Sequence, residues 1–279
     1  MRAALLQLNC SDDPAENLET TKAMIKEAAQ AGAAFVLTPE VTNIVSASRS
    51  HQNAVLHTEA DDPTLAGLSE VAAECGIWLL IGSLALKTDD PDGRFANRSF
   101  LIGPDGEISA RYQKMHMFDV ELGNGESYRE SDGFQPGDKA VLADTPLGKI
   151  GMTICYDLRF PYLYRSLAQA GAEVIVVPSA FTVPTGQAHW EVLLRARAIE
   201  TGCFILAPAQ VGLHRAKHGK PRRTYGHSLA VSPWGEILSD SGDVACITFV
   251  DLDLGQVYET RKKIPSILDN REYSVTNGR

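Results

Sequence analysis

Short apolar runs without a polar alternate residue recur along this chain between segments of helical periodicity. Residues 2–9 alternate loosely and stay largely apolar, Ala34-Phe35-Val36-Leu37 follows and stops at Pro39, and a third run covers 78–86. Such runs suit strands buried on both faces, the condition of a parallel or mixed sheet covered by helices. The intervening segments carry helix signals. Asp13-Pro14-Ala15-Glu16 offers an N-cap, a first-turn proline and a first-turn acid, which predicts a helix over 14–30 ended by Ala31-Gly32-Ala33. A helix near 65–75, a strand over 78–86 and a neighbouring strand over 98–102 continue an α/β alternation in a mixed sheet.

After a polar segment from about 119 to 139 the pattern restarts, with strand 149–154, helix 160–169, strand 174–177, helix 187–201 and strand 203–208 expected. Strands at 227–231, 237–238 and 246–250 follow, turned at Pro233-Trp234-Gly235, then a short helix over 255–264 and a polar tail from about 266. Ala29-Gln30-Ala31-Gly32-Ala33 recurs as Ala168-Gln169-Ala170-Gly171-Ala172, and Pro39 recurs as Pro178 at the same offset of 139. Ala-Gly-Ala is common after helices, so coincidence competes with the alternative of two similar α/β halves about a pseudo-twofold. No long linker separates the halves, so residues 1–279 are expected to form one domain.

The charge balance removes several function classes. With 26 Lys+Arg against 35 Asp+Glu the net charge is −9, which lacks the cation surplus that phosphate or anionic-membrane binding requires. No apolar run approaches the roughly 20 residues needed to cross a bilayer, and the N-terminus lacks a signal-peptide core. The five cysteines show no C-x-x-C spacing, which argues against a disulfide framework or zinc ribbon and for reduced thiols in a cytoplasmic protein.

Three positions could carry chemistry. Cys155 ends an apolar strand and is followed by Tyr156-Asp157-Leu158-Arg159-Phe160-Pro161, where a turn gives way to a helix. Peptide N–H groups at such a turn would lower a thiol pKa and hold an oxyanion, although inert buried cysteines at strand ends are also common. Glu40 follows Thr38-Pro39 at the end of a central strand, where a desolvated carboxyl with a raised pKa would suit a general base; a loop-capping acid is the plainer alternative. Lys114 lies among aromatic and apolar residues in Arg111-Tyr112-Gln113-Lys114-Met115-His116-Met117-Phe118, which a lysine on a strand edge would also match. The other cysteines, Cys10, Cys75, Cys203 and Cys246, read as small core residues.

Glu40, Lys114 and Cys155, 74 and 41 residues apart, resemble the Glu-Lys-Cys triad of the nitrilase superfamily of carbon-nitrogen hydrolases. Their neighbourhoods, Thr38-Pro39-Glu40, Tyr112-Gln113-Lys114-Met115-His116 and Ile154-Cys155-Tyr156-Asp157-Leu158-Arg159-Phe160-Pro161, spread the resemblance over nearly the whole chain. Glu130 in Tyr128-Arg129-Glu130-Ser131 matches a second glutamate that many members place near the lysine. The resemblance implies an α/β, four-layer α-β-β-α sandwich, homodimers through the helices around Cys155 and Trp190, and no metal or organic cofactor. It implies that Glu40 accepts the thiol proton, Cys155 attacks an amide carbon, and the Tyr156 backbone N–H with Lys114 stabilises the oxyanion, while Glu130 orients Lys114 or the substrate.

Ser179-Ala180-Phe181, Thr185-Gly186 and the segment Ala188 to Thr201 are most similar to the branch of deaminated glutathione amidases and ω-amidases; Gln187 departs from the proline expected there. The implied substrate is a small carboxylate-bearing amide, with Phe181, Arg159 and His189 as substrate contacts. Arg159, four residues after Cys155, would bind a carboxylate bidentately or else pair with Asp157 or a partner subunit. His189 could instead be a packed, hydrogen-bonded helix residue. His214 and His218 have metal-like spacing but no acidic or thiol partners, and the basic loop 215–223 reads as a mobile rim that attracts an anionic substrate. A nitrilase or N-carbamoyl amino acid amidase on the same triad, and a catalytically silent interaction module, are the competing functions.

Overall fold

The computed structural model describes residues 1–123 and 126–276. The first half runs β1 (Arg2–Gln7), α1 (Pro14–Gln30), β2 (Phe35–Leu37), α2 (Arg49–Val55), α3 (Pro63–Cys75), β3 (Trp78–Leu86), β4 (Ala96–Ile102) and β5 (Ile108–Gln113). A hairpin of β6 (Asp119–Gly123) and β7 (Glu126–Arg129) leads to β8 (Val141–Thr145), β9 (Gly148–Met152), a single 3-10 turn (Cys155–Arg159), α4 (Pro161–Gln169), β10 (Val174–Val176), α5 (Val183–Thr201) and β11 (Phe204–Ala207). The chain then forms the hairpin β12 (Val211–Leu213) and β13 (Arg223–Tyr225), followed by β14 (Leu229–Val231), β15 (Ile237–Asp240), β16 (Cys246–Asp251) and α6 (Gly255–Lys263).

Two six-stranded sheets result, ordered β16-β1-β2-β3-β4-β5 and β15-β14-β11-β10-β9-β8. Each has a central parallel trio, β1-β2-β3 in one and β9-β10-β11 in the other, flanked by antiparallel strands. Side-chain alternation assigns the layers. Ala3, Leu5, Phe35, Leu37 and Leu80 enter the apolar cluster shared with the second sheet. Ala4, Leu6 and Val36 enter a separate cluster with Ile25 and Ala28 of α1 and Leu68 and Val71 of α3. Both faces of these strands are therefore buried, which is why they carry no polar alternation. The layers run helix, sheet, sheet, helix.

Helix ends follow the local chemistry. The Asp13 carboxylate accepts the Glu16 N–H, and the Asp62 carboxylate accepts that of Leu65 at 2.8 Å before Pro63 opens α3. The repeat at offset 139 is structural: Gly32 N–H donates to Ala29 O and Gly171 N–H to Ala168 O, while Trp78 N–H donates to Ala34 O and Phe204 N–H to Glu173 O. Strand registers repeat too, with Ala3 beside Phe35 in one half and Ile150 beside Val174 in the other.

Several elements differ from the sequence expectation. The polar segment near 119–139 contains the β6–β7 hairpin, and β5, β8 and α2 also form. β5 and β8 are edge strands whose exposed alternate residues give them a loop-like composition, and α2 has no buried residue. Among the described residues no helix is long and apolar enough to cross a membrane.

Candidate active site

The ends of β2, β5 and β9 open on one cavity of about 370 Å³ whose lining includes Glu40, Lys114, Glu130 and Cys155. Beyond β2 the chain stays tied to β3: Thr38 N–H donates to Leu80 O, and Thr42 N–H to Ser83 O. Glycine at 82 is required for this approach, since a Cβ there would lie 2.0 Å from Thr38 O, 2.4 Å from Pro39 O and 2.5 Å from the Pro178 Cβ. Gly82→Ala is expected to displace the Glu40 segment, costing about 1–3 kcal/mol of stability and at least tenfold in kcat/KM, checked by thermal unfolding beside kinetics.

Strained backbone occurs at Cys155 and directly beside Glu40. Cys155 has φ 48° and Val41, next to Glu40, has φ 51°, a region that non-glycine residues rarely occupy. Cys155 is held there by its N–H donating to Pro178 O at 2.9 Å.

Lys114 follows β5, its N–H donating to Asn97 O, and its side chain is 2% exposed. The ammonium donates to Glu40 Oε1 at 2.8 Å and to both Glu130 oxygens at 2.9 Å. Asn97 Nδ2 donates to the same Glu40 oxygen at 2.9 Å and reaches Glu130 Oε1 at 3.4 Å, while Phe118 N–H holds Glu130 Oε2 at 2.6 Å. One ammonium is thus shared by two carboxylates in a dry setting.

Burial alone would push the Glu40 carboxyl up, but the Lys114 ammonium and a hydrogen bond with the Cys155 thiol outweigh it and hold the group below the usual carboxylate range. The raised pKa expected of Glu40 is therefore reversed, because the cation lies at contact distance. Burial would likewise discharge Lys114, yet Glu130 and Glu40 together keep it firmly protonated, well above the usual lysine range. The Cys155 thiol is pushed up, first by burial and then by the Glu40 charge, with Lys114 and the Ala180 N–H offsetting only part. The turn's peptide N–H groups therefore do not lower it as expected. The resting pair is a thiol beside a carboxylate.

Two residues that the sequence did not single out hold this arrangement. Asn97 joins the two carboxylates. Asp157, fully buried, accepts the Tyr112 hydroxyl at 2.6 Å, the Ile154 N–H at 2.8 Å and the His116 N–H at 3.1 Å, tying the Cys155 turn to the Lys114 segment. Asn97 shares the polar first half of the Ala96–Ile102 strand with Arg98 and Ser99, so composition alone did not mark it.

Phe181 and Tyr156 line the cavity; Arg159 and His189 do not. Arg159 lies 5.8 Å from the Tyr156 and Phe181 rings, and its Nη2 is 3.3 Å from His189 Nδ1 on the exposed face of α5. At roughly three residues per turn, a 3-10 segment rotates its fifth residue about 120° away from its first, which turns Arg159 from the thiol. The Asp157 oxygens are occupied as described, so the alternative Arg159–Asp157 pair does not form either.

The basic loop also differs from expectation. His214 is fully buried, 2.7 Å from both Cys10 O and Thr224 Oγ1, and burial lowers its pKa to about 4. Arg215 pairs with Glu16, Lys217 with Asp13 at 3.1 Å, and His218 stacks on His51. These contacts pin the loop to the start of α1 in place of a free rim, and His214 and His218 do not converge. Only Arg222 of this loop reaches the cavity.

Comparison with known proteins places this architecture. Residues 2–262 match the carbon-nitrogen hydrolase family. A deaminated glutathione amidase of Yersinia enterocolitica is 41% identical over 96% of this chain and 92% of its own. The NitFhit protein of C. elegans superposes with a TM-score of 0.88 at 34% identity, covering 97% of this chain and 65% of that longer one. An amidase from Nesterenkonia sp. AN1, in whose structure acrylamide has added to the active-site cysteine, aligns with a TM-score of 0.76 at 26% identity over 95% of this chain and 98% of its own. With the family matched over nearly its full length, the chain belongs to the carbon-nitrogen hydrolases and is an amide-hydrolysing enzyme of the nitrilase superfamily.

Proposed function

We propose that the protein hydrolyses a small carboxylate-bearing amide, deaminated glutathione foremost, to the acid and ammonia through a thioester on Cys155. The observation that carries this is the buried Lys114 ammonium within 2.9 Å of Glu40 and Glu130, in one cavity with the Cys155 thiol. Glu40 accepts the Cys155 proton as the sulfur bonds to the amide carbon. The carbonyl oxygen gains the negative charge and is met by the Lys114 ammonium and the Tyr156 backbone N–H. Collapse breaks the C–N bond, and the nitrogen leaves as ammonia with the proton from Glu40. Glu40 then takes a proton from water as the hydroxide attacks the thioester, and the thiol recovers it when the C–S bond breaks. Glu130 fixes the ammonium throughout.

Deaminated glutathione as substrate is supported by the names of the relatives, among them the Yersinia enterocolitica enzyme and a human one 36% identical over 94% of this chain. The test is ammonia release across deaminated glutathione, 2-oxoglutaramate, N-carbamoyl amino acids and simple nitriles. Preference for deaminated glutathione supports the assignment; preference for 2-oxoglutaramate or an N-carbamoyl acid replaces it on the same triad; release from none overturns the enzyme. Association of two copies through α4 and α5 is supported by Tyr162, Val192 and Ile199, which are 61%, 67% and 53% exposed there.

Glu40→Gln is expected to lower kcat by about 10²–10⁴-fold, the range for a lost general base. Because the folded carboxyl lies below its ordinary value of 4.5, the stability its charge contributes is complete above that value and is lost as pH falls through the lower folded pKa. Urea unfolding at neutral pH and below 4.5 should therefore show the wild-type advantage over Glu40→Gln shrinking on acidification. A constant difference would contradict an ionised Glu40.

A further inference from the structure

Arg222 enters the cavity from the loop between β12 and β13. Its Nη2 donates to Ala180 O at 2.6 Å, and Ala180 lines the same cavity as Cys155. The guanidinium is therefore held at the wall of the cavity that contains Cys155. Its Nε is buried and has no acceptor among the described residues, and no carboxylate there forms an ion pair with it.

The surroundings make this cation the natural acceptor site for an anionic group. Two carboxyl groups share one ammonium at the reaction centre, so that ammonium is already paired and offers no cationic surplus to an anionic substrate. Arg129, another cation of the lining, is tied to Glu121 at 2.7 Å. Arg222 instead presents donors in the fork geometry that suits a carboxylate. It is also near enough that its charge helps hold Glu40 ionised.

We propose that Arg222 is the specificity-determining residue that binds the free carboxylate of the substrate, placing the scissile amide carbon over Cys155. This rests on the amidase function proposed above and assigns to Arg222 the task expected of Arg159, which lies outside the cavity lining.

The test uses two amides of equal length, glutaramate, with a terminal carboxylate, and pentanamide, with a methyl group in its place. Wild type, Arg222→Met, Arg222→Lys and Arg159→Met are compared by the ratio of kcat/KM for the charged over the neutral amide. Effects transmitted through Glu40 act on both substrates and cancel in the ratio. Arg222→Met is expected to lower the ratio at least tenfold, mainly through KM for glutaramate, and Arg222→Lys, which retains the charge and a donor for Ala180, to restore part of it. Equal losses on both amides, or a collapse of the ratio in Arg159→Met with none in Arg222→Met, overturn the assignment. A wild type that hydrolyses pentanamide as well as glutaramate removes the carboxylate-bearing substrate class itself, and one that hydrolyses neither removes the amidase function; both take the role of Arg222 with them.

Discussion

Cys155→Ala is expected to lower kcat by roughly 10⁴-fold or more, since residues that act as a unit in covalent catalysis lose nearly all rate when the nucleophile goes. The fold should survive. The strained turn is set by the backbone bond from Cys155 N–H to Pro178 O and by the Asp157 contacts, none of which uses the sulfur. Thermal unfolding within a few degrees of wild type, together with absent ammonia release, is the expected pair of results. Near-normal turnover in the variant would remove the thioester mechanism. Alkylation of the wild-type enzyme at neutral pH offers a second check. A thiol pushed up by burial and by Glu40 should react with iodoacetamide far more slowly than an activated thiolate, in contrast to the low-pKa cysteines found at electropositive turns.

Lys114→Met is expected to damage both stability and catalysis. It leaves Glu40 and Glu130 sharing Asn97 with no cation between them, and an unpaired buried charge costs about 3–5 kcal/mol. Two such carboxylates respond by taking up a proton, which raises at least one of their pKa values. The variant should therefore lose less stability at pH 4 than at pH 8, the reverse of the wild-type trend for Glu40. Loss of the oxyanion donor removes a further 10²–10³-fold of kcat by the magnitudes typical of such groups, and protonation of Glu40 deepens the loss. Urea unfolding across pH, with kcat measured at each, separates the two effects. Retained kcat with lowered stability would make Lys114 structural.

Much of the frame was legible because it obeys short-range rules. α1 begins and ends at the residues its cap and Ala-Gly-Ala segment mark, and β3 covers the expected apolar run. That Glu40, Lys114 and Cys155 would meet was legible through the resemblance, and they line one cavity. What stayed hidden depends on contacts between distant segments. The direction of the Glu40 shift is set by an ammonium 74 positions away at 2.8 Å, a distance no local pattern contains. Arg222 meets Ala180 across 42 positions, so the basic loop carried no mark separating the residue that enters the cavity from those that pair with α1. Nothing local marked Asp157, because its partners Tyr112 and His116 come from the other half.

The repeat at offset 139 bears on what became of the positions equivalent to Glu40 and Cys155. By that offset Glu40 corresponds to Ser179, and by the matching strand registers Cys155 corresponds to Leu8. The frame thus offers two equivalent seats, and one is sealed: Gln210 N–H donates to Ser179 O at 2.9 Å and Val211 N–H to Leu8 O at 2.8 Å, while the Ser179 hydroxyl turns back to Val177 O. Chain passing over the twin seat converts it into a seam between the halves. Symmetry of scaffold and asymmetry of solvent access divide the labour, with one copy of each position given to reactivity and the other to cohesion.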